Sequence, residues 1–354
     1  MVSHITCSKL NANETALCGG LAGLITRFVI SPFDVVKIRL QVQSEPYSLK
    51  WIIRHPYHHH HHHHHHYQHP LVRRNPAPKY SGIIQPFKVI IKEEGFKALF
   101  KGNVSAEWLY VTYGAAQFYA YHHLDTYLRK QNLLNSTLQP FISGMLAGSF
   151  ATAVTYPFDL LRTRFAIQGK DKVVYNGLSH AVSDIYQNEG MRGFYRGLGS
   201  SIVQIMPYMG LMFFSYESLC SMAGALQEKN IMSNDHKRVT DMLCGSIAGI
   251  VSKTGVFPID VVRKRLQVQG PHLSEYAVSS IPNYAHQKSI FRCLNKIVQT
   301  EGFLGLYKGI VPGLLKAGPS GAVYFLMFEL AKDAMTTIKD SEFHLEPVTN
   351  LLKL

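Results

Sequence analysis

Pro32-Phe-Asp34-Val-Val-Lys37-Ile-Arg39, Pro157-Phe-Asp159-Leu-Leu-Arg162-Thr-Arg164 and Pro258-Ile-Asp260-Val-Val-Arg263-Lys-Arg265 are one charged phrase written three times, about a hundred residues apart. Recurrence at a fixed period specifies a triplicated architecture. After each copy come an acid-glycine pair and an aromatic-base-glycine: Glu94-Gly95 with Phe100-Lys101-Gly102, Glu189-Gly190 with Tyr195-Arg196-Gly197, and Glu301-Gly302 with Tyr307-Lys308-Gly309. Before each proline, thirteen and nine residues upstream, stand glycines four apart: Gly19 and Gly23, Gly144 and Gly148, Gly245 and Gly249. In lipid such pairs let helices meet backbone to backbone.

The 354 residues would accommodate two or three soluble domains, but the apolar stretches predict six membrane helices, at roughly 14–43, 104–124, 138–165, 200–222, 239–268 and 310–333. Polar residues interrupt every one, so a plain hydropathy scan scores several poorly, as expected where one face lines an aqueous cavity. The chain divides into repeats at 1–135, with a histidine-rich insertion at 51–79, then 136–232 and 233–354. Each repeat reads as a long kinked helix, a loop carrying a short amphipathic helix, and a second membrane helix. Ile83, Ile84, Phe87, Ile90 and Ile91 form the apolar stripe of the first short helix, and Leu178, Val182, Ile185 and Tyr186 that of the second.

The net charge of +13 fits either nucleic acid or anionic lipid and cargo. No zinc-finger or basic-zipper pattern supports the first. Bases crowd the segment after the first helix (Lys50, Arg54, Arg73, Arg74, Lys79, Lys88, Lys92, Lys97, Lys101), which places that loop on the inner side of the membrane. Five cysteines without paired spacing predict neither a disulfide framework nor a zinc site. No secretory signal is visible at the N-terminus, so targeting is expected to be internal. The nine histidines His58 to His66, flanked by His55 and His69, read as a low-complexity insertion, although neutral imidazoles are also good metal ligands.

These three phrases, in this order and three times over, resemble the mitochondrial carrier family across almost the whole chain. The resemblance implies an all-α membrane protein: six transmembrane helices in three pseudo-symmetric pairs around a central cavity, with short amphipathic helices on the matrix side. It implies a monomer in the mitochondrial inner membrane, in contact with cardiolipin, with both termini on the intermembrane-space side. By the same resemblance, Asp34 pairs with Arg162, Asp159 with Arg263 and Asp260 with Lys37, a ring that gates the matrix side. Gln41 and Gln267 are the family's glutamine braces, and Ala166 stands at the third place, which implies a gate of intermediate strength. Leaving such charges unpaired in the bilayer would cost about 2.5–3.5 kcal/mol each. On the cytoplasmic side the family's second gate survives as Glu217, Glu329 and Lys332, but Cys220 replaces a base and the first repeat has Tyr121-His122 and Asp125. A weak outer gate is expected.

Cargo has no threefold axis, so its contacts are sought where the repeats differ. Five residues before the prolines stand Arg27, Thr152 and Lys253; seven after the aromatic-base-glycine stand Leu109, Gln204 and Lys316. Arg27, Lys253 and Lys316 are read as cavity cations with no acidic partner in their own segments, suited to phosphate. Gln204 and Ile205 fall at the family's contact position on the fourth membrane helix. Glu107 is read as accepting from an amino-bearing ring or offsetting a cationic one, or else as the partner of a nearby base, and Tyr110, Tyr113, Gln117, Tyr208 and Met209 as walling a planar ring. Within the family, the resemblance is nearest to members that carry thiamine pyrophosphate. It is borne by Ser31-Pro-Phe-Asp-Val-Val-Lys-Ile-Arg39, Leu161-Arg-Thr-Arg-Phe-Ala166, Leu243-Cys-Gly-Ser-Ile-Ala-Gly249, Ser252-Lys-Thr254, Lys264-Arg-Leu-Gln-Val268 and Leu314-Leu-Lys-Ala317. It implies exchange of that cofactor for another phosphorylated metabolite; nucleotides, deoxynucleotides and coenzyme A are the alternative cargoes. An enzyme is disfavoured, since no phosphate loop, HExxH or nucleophile elbow is present, and no cofactor is expected. EF-hand loops are also lacking.

Overall fold

The computed structural model describes residues 12–44, 79–131, 138–170, 173–228, 237–278, 281–284 and 289–351. The histidine tract, with Lys50, Arg54, Arg73 and Arg74, lies outside the described residues. Among those described, all regular structure is helical. The helices are α1 (Ala12–Val42), α2 (Ile84–Glu94), α3 (Asn103–Gln131), α4 (Leu138–Ala166), α5 (Leu178–Phe194), α6 (Leu198–Glu228), α7 (Lys237–Gln267), α8 (Ile290–Glu301), α9 (Ile310–Leu315) and α10 (Ala317–Leu351). Short 3₁₀ turns, Phe96–Phe100 and Phe303–Tyr307, precede α3 and α9.

The long helices close into a ring because the extensive interfaces join different repeats: α3 packs on α4, α6 on α7, and α10 on α1. Pro32, Pro157 and Pro258 sit inside α1, α4 and α7. Proline withholds one backbone donor and kinks a helix without ending it here. The last expected helix differs from its reading: it breaks at Lys316 into α9 and α10 and runs on to Leu351. Pro319 accounts for the break, because it has no N–H to offer the Leu315 carbonyl.

Apolar side chains point outward around the ring, among them Phe28, Trp108, Phe118, Phe150, Phe214, Ile250 and Phe325, all well exposed. In water such a surface would aggregate; in lipid it is the natural contact. Four helical stretches of the described residues are long and apolar enough to cross a membrane: Glu14–Val42, within Leu178–Gly224, Met242–Gln267, and within Phe303–Thr337. Helices α3 and α4 do not meet this measure; polar residues are spread along both, Glu107 and Asp159 among them.

The paired glycines behave differently from expectation. Rings, rather than a second backbone, fill their grooves: Tyr324 and Phe328 approach Gly19, and Tyr110 approaches Gly23. Gly144 and Gly249 have open space around them. The stripe of α2 also divides. Ile90 is fully buried, whereas Ile84 and Ile91 are exposed; α5 likewise buries Ile185 and exposes Val182 and Tyr186. One edge of each short helix thus packs inward and the other is exposed.

Close approach explains the aromatic-base-glycine. Gly102 and Gly309 hold positive φ, 80° and 79°. A Cβ at Gly102 would stand 2.6 Å from the Arg162 carbonyl oxygen, and one at Gly309 2.9 Å from that of Lys37. Each glycine therefore lets its turn press on a proline-kinked helix from another repeat, Gly102 on α4 and Gly309 on α1.

Candidate functional site

Below the prolines, the three charged phrases converge. Arg162 reaches Asp34 at 2.6 Å, Arg263 reaches Asp159 at 2.8 Å, and Lys37 reaches Asp260 at 2.6 Å. Each pair bridges two different proline-kinked helices, so the ring ties α1 to α4, α4 to α7 and α7 to α1. Gln41 donates to Asp260 at 3.1 Å, and Gln267 donates to Asp159. Among the described residues no glutamine bonds Asp34, and Ala166 stands at the equivalent place.

A second belt lies beyond the ring, and the sequence reading did not assign it. Arg39 forks onto Glu94, Arg164 onto Glu189, and Arg265 onto Glu301, each arginine buried. Each arginine also donates to a tyrosine hydroxyl (Tyr80, Tyr175 and Tyr284) and to a carbonyl at the end of the next proline-kinked helix: Arg39 to Ala166 at 2.9 Å, Arg164 to Gln267 at 3.1 Å, and Arg265 to Gln41 at 2.9 Å. Helix C-termini leave such carbonyls without intrahelical partners and carry negative partial charge, so a cation is the favoured cap. Lys101 and Lys308 add to the same task, bonding the Gln168 and Gln43 carbonyls at 2.6 and 3.0 Å. Gln43, Gln168 and Gln269 then clamp the backbones of Tyr80, Tyr175 and Tyr284 through bonds of 2.9 to 3.1 Å. All three glutamines lie four residues after the belt arginine, a recurrence that would have revealed them. Outside the membrane segments, burial raises the Glu94 pKa, but hydrogen bonds from Arg39 and Lys101 outweigh it and hold the group below its ordinary value.

Above the ring opens a cavity of about 390 Å³. Asp159, Arg162, Asp260 and Arg263 form its floor; Arg27, Tyr110, Tyr113 and Thr152 line one part of the wall, and Gln204, Ile205, Tyr208 and Lys253 another. Arg27 stacks over the Tyr110 ring at 5.9 Å. Two buried wall atoms, Arg27 Nε and Gln204 Oε1, lack a hydrogen-bond partner among the described residues.

Three sequence expectations need correction. The cavity cations do have acidic partners, and these are the ring's own aspartates. Lys316 donates to Asp34 at 2.6 Å, Arg27 lies 3.4 Å from Asp34, and Lys253 lies 3.9 Å from Asp260. Arg27 and Lys253 each stand seven residues before their aspartate, two helical turns, which places them on the same face. Second, Glu107, Gln117 and Lys316 lie outside the wall of this cavity. Glu107 accepts from Asn103 at 3.2 Å, its other oxygen is unpartnered, and Arg27 is within electrostatic reach. Third, Met209 is not in the wall either. At the opposite ends of the helices, Glu217, Glu329 and Lys332 make no ion pair among the described residues.

A ring of helices with an apolar outer face and a charged, water-accessible interior, closed at one end by breakable ion pairs, defines a transporter. The mitochondrial carrier protein family model matches residues 8–132, 134–224 and 234–339. The chain belongs to the mitochondrial carrier family. It is 42% identical over 322 residues to a protein of Neosartorya fischeri called mitochondrial thiamine pyrophosphate carrier 1, covering 89% of this chain and 91% of that one. Proteins of the same name from Aspergillus oryzae (42% over 319 residues, 89% and 91% covered) and Phaeosphaeria nodorum (41% over 338 residues, 92% and 94% covered) are also similar. This is a mitochondrial transport protein and not an enzyme.

Proposed function

We propose that this carrier moves thiamine pyrophosphate across the mitochondrial inner membrane by alternating access, in exchange for another phosphorylated metabolite. The observation that carries the reading is the match, over about nine-tenths of the chain, to carriers named for that cargo. The site supports it. Arg27 and Lys253 stand in the cavity wall above a floor containing Arg162 and Arg263, and Lys316 lies one carboxylate away. Pyrophosphate oxygens accept several charge-assisted hydrogen bonds at once. The free acceptor on Gln204 and the carboxylate of Glu107 suit the amino group and the positive thiazolium, and Tyr110, Tyr113 and Tyr208 suit the flat rings.

In this reading the Asp34, Asp159 and Asp260 pairs, with their Gln41 and Gln267 braces, are the matrix gate, closed here. Glu217, Glu329 and Lys332 form a weak cytoplasmic gate. The same reading has six crossings with both termini on the intermembrane-space side, supported by the bases Lys79, Lys88, Lys92, Lys97 and Lys101 on the side read as the matrix. The protein works as a monomer, with cardiolipin against the short helices. The test is uptake by purified protein in liposomes, comparing labelled thiamine pyrophosphate with ATP, deoxynucleotides and coenzyme A. Thiamine pyrophosphate should exchange fastest; faster nucleotide or coenzyme A exchange overturns the choice of cargo.

A further inference from the structure

The three seams of the ring are unequally tied, and one residue makes the difference. Lys264 stands between the two bases of the third charged phrase, where the first has Ile38 and the second Thr163. Its side chain is buried. Lys264 Nζ donates to both oxygens of Asp159 at 3.1 Å, to Thr163 Oγ1 at 2.9 Å and to Gln267 Oε1 at 2.9 Å.

The fold does not require a cation there. Ile38 and Thr163 fill the two equivalent places, both buried, without one. A buried ammonium is costly to desolvate, so its presence at a single corner calls for a task particular to that corner. Every group that holds Lys264 belongs to the seam between α4 and α7. That seam therefore has the Arg263–Asp159 pair, the Gln267 brace and a second cation on the same carboxylate. Between α1 and α7 there are Lys37, Asp260 and Gln41. Between α1 and α4 the ring has Asp34 and Arg162 alone, because Arg27 shares a helix with Asp34 and Lys316 comes from the junction of α9 and α10.

We propose that Lys264 is a positioning residue of the transport cycle, a second latch cation on Asp159 that keeps the empty carrier closed toward the matrix. The idea rests on the alternating-access reading but not on the identity of the cargo. Without Lys264, Asp159 keeps Arg263 and Gln267, so the corner still forms but yields more readily. With cargo absent, the matrix-open form should become more populated.

The experiment reads that population without any cargo. Full-length protein with its five native cysteines replaced by serine and Thr152→Cys placed in the cavity wall is reconstituted in liposomes. A membrane-impermeant maleimide is then applied from either side. Lys264→Met should raise the ratio of matrix-side to opposite-side labelling by about tenfold, the equivalent of one lost hydrogen bond to a charged group. Lys264→Arg, which keeps the charge, should restore the original ratio. If Lys264→Met folds poorly, Lys264→Thr, the residue of the second repeat, gives the same readout. An unchanged ratio with a lower melting temperature shows a merely structural lysine and overturns the proposal, as does a shift in Lys264→Arg equal to that in Lys264→Met. If the variants label as expected and the protein with its native residues fails to move thiamine pyrophosphate, the cargo is refuted and the latch stands.

Discussion

Lys316→Ala and Asp34→Asn are expected to move cargo affinity in opposite directions. Asp34 accepts from Lys316 and Arg162 at 2.6 Å each and lies 3.4 Å from Arg27. In the empty carrier it is thus the counter-ion of the cations that the pyrophosphate is proposed to take. Lys316→Ala leaves Asp34 with Arg162 and Arg27, so it avoids the case of a bare buried charge, which costs about 3–5 kcal/mol. The sequence alone gave no sign that this acid was at risk. What the substitution removes from the bound state is one hydrogen bond to a charged group, about 1.5–3 kcal/mol. Affinity should therefore fall by roughly tenfold to a hundredfold. Asp34→Asn removes the competitor instead, freeing Lys316 and Arg27, and binding should tighten. A thermal-shift titration of both variants with thiamine pyrophosphate decides the matter. Unchanged affinity in Lys316→Ala, or weaker binding in Asp34→Asn, refutes Asp34 as the group that cargo displaces.

Alanine at two glycines of positive φ tests strain with and without collision. Gly95 (φ 87°, ψ 168°) has open space where its Cβ would go, so Gly95→Ala should cost only backbone strain, about 1–3 kcal/mol in stability. Gly102→Ala adds a clash with the Arg162 carbonyl and should lower the melting temperature distinctly further. Arg164→Met would leave the buried Glu189 with Arg196 at 2.9 Å, so its cost is that of lost hydrogen bonding to a charged group, about 1.5–3 kcal/mol, part of it recovered by adding Glu189→Leu; a melting-temperature cycle measures this. Because the folded Glu94 pKa lies below the unfolded value of 4.5, its contribution is complete above that pH and lost as pH falls through the lower folded value. The melting-temperature gap between wild type and Glu94→Gln should accordingly narrow in acid below about pH 4.5.

The distance between what was legible in the sequence and what was not follows the kind of partner involved. Asp34, Asp159 and Asp260 were readable because partner and counter-partner sit in the same thrice-repeated phrase. Arg39, Arg164 and Arg265 recur as faithfully, yet their roles went unread, since half of their acceptors are backbone carbonyls, which carry no sequence label. The Arg27–Asp34 and Lys253–Asp260 proximities were missed although the spacing carries them, seven residues being two helical turns. Lys316 and Asp34 are 282 residues apart and meet only because α10 closes the ring against α1. The paired glycines were recognised but their partners misjudged, because which aromatic ring enters a groove depends on the register of the neighbouring helix.

Charge balance links the ring to its cargo. Asp34, Asp159 and Asp260 face Arg27, Lys37, Arg162, Lys253, Arg263, Lys264 and Lys316. The floor stays cationic after every ring pair is counted, and Glu107 offsets one further charge near Arg27. A polyanion entering the cavity supplies the missing negative charge from within, without tying one helix to another. It can then satisfy Arg27 and Arg162 while Asp34 loses its hold, so the attraction that closed the α1–α4 seam gives way to one that does not oppose its parting. A solute with the same rings and no phosphate lacks that means. Thiamine is therefore expected neither to stabilise the carrier against heat nor to be exchanged, at concentrations where thiamine pyrophosphate does both. Transport of thiamine at a comparable rate would show that ring recognition, rather than phosphate neutralisation, drives the opening.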